Sequence, residues 1–211
     1  MDRAKTLLPK GRLEAFSDGV IAIVITILVL ELTVPSLAAD ESLPRALLED
    51  WRNFLGYLIS FVMVGGAWIA HANATRLISK ADPVLFRLTL VWLLFLSLTP
   101  FTTSLMTNFV ETPQEKAGVI IYGLNLLLSA LMLSGVIRYS ASRPELASSK
   151  VSDEDLVATV KQRNGLVVAQ TAAVLCAVFF PAIAVLFYLV IALLFLLVPL
   201  FVWRSGKRRK R

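Results

Sequence analysis

The chain has 211 residues, 57% of them hydrophobic and only 17% charged, with a mean hydropathy of +0.73. It is too apolar for a water-soluble domain of this size and reads as an integral membrane protein. Cys176 is the single cysteine, which excludes an intramolecular disulfide, and one histidine without any acidic cluster in the apolar stretches argues against a metal centre.

In chain order, apolar stretches fall at Glu14 to Val34, Trp51 to His71, Val84 to Phe109, Lys116 to Tyr139, Gly165 to Phe180 and Ala182 to Trp203. Each has spanning or nearly spanning length for a helix, since a bilayer core takes about 20 apolar residues. The prediction is an all-α polytopic domain over residues 1–211 with a basic tail at 204–211. The fifth and sixth spans follow from a length argument. From Gly165 to Trp203 the chain is almost uncharged, and as one helix it would reach about 58 Å, roughly twice the hydrocarbon thickness. Pro181, which has no amide to continue a helix, is the natural corner.

Lysine and arginine are retained on the cytoplasmic side of short loops. With six spans, the N-terminus, the 72–83 loop, the 138–164 segment and the C-terminal tail share one side. Eighteen basic residues fall there, against Arg45, Arg52 and Lys116 on the other. Both termini are therefore expected in the cytoplasm, with Asp40, Glu41, Glu49, Asp50, Glu111 and Glu115 outside. The tail Lys207 to Arg211 reads as a topology and anionic-lipid anchor, so the net charge of +6 does not imply nucleic acid. Within the polar 140–164 segment, Ser152 before Asp153-Glu154-Asp155 reads as the cap of a helix that enters the membrane near Gly165. The first apolar segment has no small-residue cleavage site and reads as a retained span.

The first span carries a carboxylate, Asp18, near its cytoplasmic end, where a charge is costly and marks function or a specific partner. With about 100° per residue, Ile23, Ile27 and Leu30 form one stripe with Phe16 and Val20, and Thr26 flanks it. Asp18 lies about 140° away and Ser17 about 120° away in the other sense, so stripe and carboxylate serve different surfaces. Partners for Asp18 at similar depth are Trp68 and His71 near the end of the second span, with Arg12 and Ser17 on the first. They predict a mutually satisfied network, either a structural tie between the two helices or the setting of a titrating carboxylate. By periodicity alone, the stripe is equally a lipid-facing or core-packing surface. Further along, Pro100 is expected to kink the third span, with Ser97, Thr99, Thr102 and Thr103 refilling the freed carbonyls. Gly65-Gly66 permits close helix contact, and Trp51 and Trp203 mark membrane interfaces.

Three strings share a family signature: Arg12-x-x-x-Phe16-Ser17-Asp18-Gly19, Trp68-x-x-His71 and Leu98-Thr99-Pro100-Phe101-x-Thr103. Together they resemble the single-repeat prokaryotic members of the family of the lysosomal potassium channel, transmembrane protein 175. The resemblance covers the first three spans by motif and the last three by count and length. It implies a homotetramer of six-helix subunits in the cell membrane, with the first helices around a central pore. By position it implies Ile23, Ile27 and Leu30 as a hydrophobic filter, Thr26 and Glu31 beside it, and Arg12, Phe16, Ser17, Asp18, Trp68 and His71 as a packing network.

The function this implies is a potassium-permeable channel with modest K⁺ over Na⁺ selectivity. Its partners would be further copies of the chain, membrane lipids and permeant monovalent cations, with K⁺ as permeant ion and no cofactor. An aliphatic neck offers no oxygens to replace hydration, so K⁺, which holds its shell less tightly, is penalised less than Na⁺. A proton-coupled secondary transporter is the alternative. Such carriers keep carboxylates or broken helices near the midplane, and the middle thirds of these spans hold no ionisable residue. A membrane-embedded enzyme lacks a paired acid and base in the spans.

Overall fold

In a bilayer every backbone polar group must be satisfied within the chain, which long apolar helices achieve by themselves. The computed structural model describes residues 7–34, 42–148 and 153–208. Their order is β1 (Leu8–Pro9), α1 (Lys10–Ile27), a 3₁₀ turn (Leu28–Glu31), α2 (Leu43–Glu49), α3 (Trp51–Arg76), β2 (Lys80–Ala81), α4 (Pro83–Ser97), α5 (Thr99–Asn108), α6 (Glu115–Ala141), α7 (Asp153–Phe179) and α8 (Pro181–Arg208). Among the described residues, Lys10–Glu31, Trp51–Arg76, Pro83–Asn108 and Glu115–Ala141 are long and apolar enough to cross a membrane. The helices α7 and α8 have 27 and 28 residues, each about 40 Å of rise.

Three local features differ from the sequence reading. Two-residue strands interrupt an otherwise helical chain, β1 pairing antiparallel with β2. The short α2, with Pro44 in its first turn, precedes α3. The stretch read as a kinked third span is two helices: α4 stops at Ser97, and Pro100 lies in the first turn of α5, where a missing N–H leaves no gap in the ladder. The nearby hydroxyls bond to main-chain oxygens on either side of the break. Ser97 donates to Leu94 O at 2.8 Å, and Thr102 and Thr103 donate to Thr99 O at 3.1 and 2.8 Å. The Leu98 N–H turns back to Phe95 O and Leu96 O.

Helix α6 is the hub, packing against α3, α4, α5, α7 and α8. Its small residues allow this. A Cβ on Gly123 would strike the Tyr188 hydroxyl of α8, and one on Gly118 would strike Leu105 O of α5. Two apolar cores lie on either side. One joins α1, α3, α4 and α6 around Leu28, Val64, Leu85, Trp92, Leu96 and Leu133. The other joins α3, α5, α6, α7 and α8 around Ile59, Tyr122, Ala177, Ala184 and Tyr188.

Between the cores, α3, α5 and α6 share a buried hydroxyl chain. Ser60 Oγ lies 2.7 Å from Thr103 Oγ1 and 3.0 Å from Tyr122 Oη. Because Thr103 spends its proton on Thr99 O, Ser60 donates to Thr103 and Tyr122 donates to Ser60. Every hydroxyl proton in the chain is thereby used, which offsets the cost of burying it.

The end of the bundle at which α1 begins is tied by polar contacts. Lys10 Nζ donates to Thr75 O at 3.0 Å and pairs with Glu14 at 3.3 Å. Asp82 caps α4 by accepting from Leu85 N–H at 2.8 Å and also accepts from the Tyr139 hydroxyl at 2.6 Å. Ile78 bridges Ala147, and Ser79 N–H bonds to Leu146 O. The segment before α1 and the loops α3–α4 and α6–α7 therefore share one end.

Helix α7 begins at Asp153, and Ser152, read as its cap, lies outside the described residues. Phe180 separates α7 from α8, which starts at Pro181 and runs through Arg204 and Lys207 to Arg208; the rest of the basic tail is likewise outside the description.

Candidate functional site

Helix α1 lies at the edge of the bundle and packs only one side on α3 and α4. Leu13, Ser17, Ile21, Val24 and Leu28 form the buried side. The other side is open. Ile23 is 59% exposed, Ile27 40% and Leu30 73%, and Phe16, Arg12 and Thr26 are exposed with them. Within the described residues of the chain the stripe is therefore neither core nor covered.

The helical wheel does not hold to its end, because α1 stops at Ile27 and Leu28–Glu31 continues as a tighter 3₁₀ turn. Leu30 nevertheless stays on the open side, while Glu31 is half-buried. Thr26 spends its hydroxyl proton on its own helix, donating to Ala22 O and Ile23 O, both at 2.9 Å. Only its acceptor lone pairs remain for anything outside.

Beside the stripe runs an open groove of about 450 Å³, walled by Val20, Ile23, Ile27 and Glu31 on one side and Ser97, Pro100, Phe101 and Ser104 on the other. Phe101, 59% exposed, enters the sequence reading only as part of the third-span motif, and neither it nor Ser104 was expected at the site. The available signal was Pro100. The first turn of α5, which Pro100 opens, lines the groove opposite α1.

The expected network is assembled only in part. Trp68 Nε1–H donates to Asp18 Oδ1 at 2.9 Å, tying α3 to α1. Asp18 itself is exposed and not buried within the chain. His71 is fully buried and stacks on the Trp92 ring of α4, with centroids 4.7 Å apart and 16° between planes. Neither its Nε2 nor the buried Ser17 Oγ has a hydrogen-bond partner among the described residues. Phe16 and Arg12 lie on the open side, at a second groove shared with Phe86 and Leu90 of α4. Sequence depth thus located the Asp18–Trp68 pair, while the stack of His71 on a residue of α4 had no signal in the spacing of α3.

The family model described as the endosomal/lysosomal potassium channel TMEM175 matches residues 12–100, from the start of α1 to the α4–α5 break. A potassium channel of Chamaesiphon minutus is 32% identical over 154 residues, 72% of this chain and 76% of that protein. The chain belongs to the TMEM175 family. A crystal structure of a lysosomal potassium-selective TMEM175 homologue from the same organism shares the fold, with a TM-score of 0.81 and 28% identity over 89% of this chain and 96% of that one. The Danio rerio relative, named an endosomal/lysosomal proton channel, is 27% identical over 152 residues, 72% of this chain but 29% of its own length. TMEM175 is a family of ion channels and not a class of enzymes. With four helices among the described residues long and apolar enough to cross a bilayer, this member is a multi-pass membrane protein.

Proposed function

We propose that the chain is one subunit of a homotetrameric, potassium-permeable channel of the cell membrane, with α1 of four copies around a central conduit. Six spans place both termini in the cytoplasm. The observation that carries this reading is the open face of α1: Ile23, Ile27 and Leu30 project from a helix that its own protomer leaves uncovered. Four such faces around an axis make a neck of branched aliphatic side chains. The neck discriminates modestly, since both ions shed water there without compensation and K⁺ sheds it more cheaply. Thr26 flanks the neck and Glu31 sits at its outer mouth, where a carboxylate raises the local cation concentration. Asp18 and Trp68 act behind the neck, fixing α1 on α3. No cofactor is needed, only the permeant ion and the lipid around it.

The orientation draws support from the shared end of the fold. The segment before α1 and the loops α3–α4 and α6–α7 meet there, as the distribution of lysine and arginine requires. Arg163, counted from the sequence among the cytoplasmic charges, is instead buried between helices, which leaves the asymmetry intact.

One feature favours a proton-coupled transporter instead, namely the interrupted helix at Leu98 facing the stripe. Flux into liposomes under a K⁺ or Na⁺ gradient separates the two. A channel gives non-saturating flux that is larger for K⁺, and Ile23→Asn lowers the K⁺/Na⁺ ratio toward one without unfolding a protomer in which Ile23 is already more than half exposed. An unchanged ratio removes Ile23 from the filter, and saturating flux strictly coupled to protons favours the carrier.

A further inference from the structure

Arg163 on α7 is 6% exposed, an ionic group inside the helix bundle that the pore reading does not use. One terminal nitrogen, Nη2, donates to Ala130 O of α6 at 3.2 Å, and the buried Nε has no partner among the described residues. Among the described residues, no carboxylate stands within ion-pair distance of it. A guanidinium stays protonated in any protein, so this positive charge is permanent. A buried charge without a counter-charge is strongly unfavourable.

The side chain lines a cavity of about 20 Å³ between α3, α4, α6, α7 and α8. Ala130, the guanidinium's acceptor, lines the same space, as do Trp92 and Gln170. Trp92 Nε1 and Gln170 Oε1 are also buried without partners among the described residues, Trp92 being 0% and Gln170 3% exposed. The remaining wall is largely apolar, with Leu133 and Phe195 among it. The volume exceeds the roughly 10–15 Å³ that one water needs, which leaves room for a single particle somewhat larger than water.

We propose that this cavity binds a single monatomic halide, such as chloride, as the counter-ion of Arg163. The Arg163 Nε–H and the Trp92 indole N–H, unpartnered among the described residues and carried by side chains that line the cavity, would be its donors, and half a turn of the Gln170 amide would present its NH₂ group in place of the oxygen. A water would satisfy the same hydrogen bonds but leave the charge uncompensated in a low-dielectric interior. The bound ion would join α7 to α4, and through the stack of Trp92 on His71 to α3. This inference does not depend on the tetrameric pore.

Thermal unfolding of the purified full chain in detergent tests it, with potassium chloride, bromide and gluconate at equal ionic strength, because gluconate is too large for the cavity. The expected midpoint is higher by about 3 °C in the two halides than in gluconate. Arg163→Gln should abolish that difference, and Trp92→Phe, which keeps the ring but removes the N–H, should reduce it. Crystals grown in bromide should give an anomalous peak beside Arg163 Nε even if neither variant folds. Equal midpoints in all three salts, a halide effect undiminished in the variants, or an ordered water alone in the bromide crystal would each overturn the assignment.

Discussion

The Asp18–Trp68 contact admits a quantitative test, because it is one hydrogen bond between two helices with known exposure. Trp68 Nε1–H reaches Asp18 Oδ1 at 2.9 Å, and the pair is open to its surroundings, Trp68 being 45% exposed. A hydrogen bond to a charged acceptor contributes about 1.5–3 kcal/mol, and exposure places this one at the low end. Asp18→Asn retains a neutral acceptor worth about 1 kcal/mol and so costs roughly 0.5 kcal/mol. Asp18→Ala loses the bond entirely, about 1.5 kcal/mol, as does replacing the indole donor in Trp68→Phe apart from a small packing loss. Combined, Asp18→Ala and Trp68→Phe should fall short of additivity by about 1.5 kcal/mol, because the same bond is lost only once. At roughly 2–4 °C per kcal/mol for a chain of this length, Asp18→Ala and Trp68→Phe should each lie about 3–6 °C below the parent in thermal unfolding, with the double close to the lower of the two. Liposome flux on the same samples should show K⁺/Na⁺ ratios unchanged from the parent, since the pair stands behind the stripe. Strict additivity of the two single substitutions would refute the bond as a stabilising tie, and an altered ion preference in a stable Asp18→Asn protein would refute its placement outside the filter.

Adjacent glycines should respond in opposite directions. A Cβ on Gly65 meets nothing within 4 Å, whereas one on Gly66 comes within 2.9 Å of the Phe195 ring. Gly65→Ala should therefore stabilise by up to about 1 kcal/mol through helix propensity, and Gly66→Ala should be net destabilising by roughly 1–2 kcal/mol, read as unfolding midpoints. Thr103→Val keeps the shape but leaves the Ser60 proton without its acceptor and Thr99 O without one donor, so it should cost about 1–3 kcal/mol. A midpoint equal to that of the parent would show the hydroxyl chain to be dispensable.

The sequence carried the membrane class, the helical stretches and the stripe, because each is a property of one segment. Length and hydropathy decide whether a segment fits a bilayer, and a rise of 1.5 Å with 100° per residue decides which side chains share a face. Ile23 and Ile27 could thus be grouped before any packing was known. Proline chemistry located the breaks at Phe180 and near Leu98, although only the structure resolved the second into two helices, with Pro100 in the first turn of α5. Depth along two helices suggested Asp18 and Trp68 as partners, while the stack of His71 on Trp92 depended on the rotation of α3 against α4, which no single segment encodes. The same holds for Arg163. On its own helix it looks like one more interfacial charge, and only the packing of α6 against α7 puts it beside Ala130 and the cavity. Periodicity assigns a residue to a face. Which neighbour covers that face, or whether the face of α1 stays open, is set by how the helices share two apolar cores, and that division belongs to the tertiary structure alone.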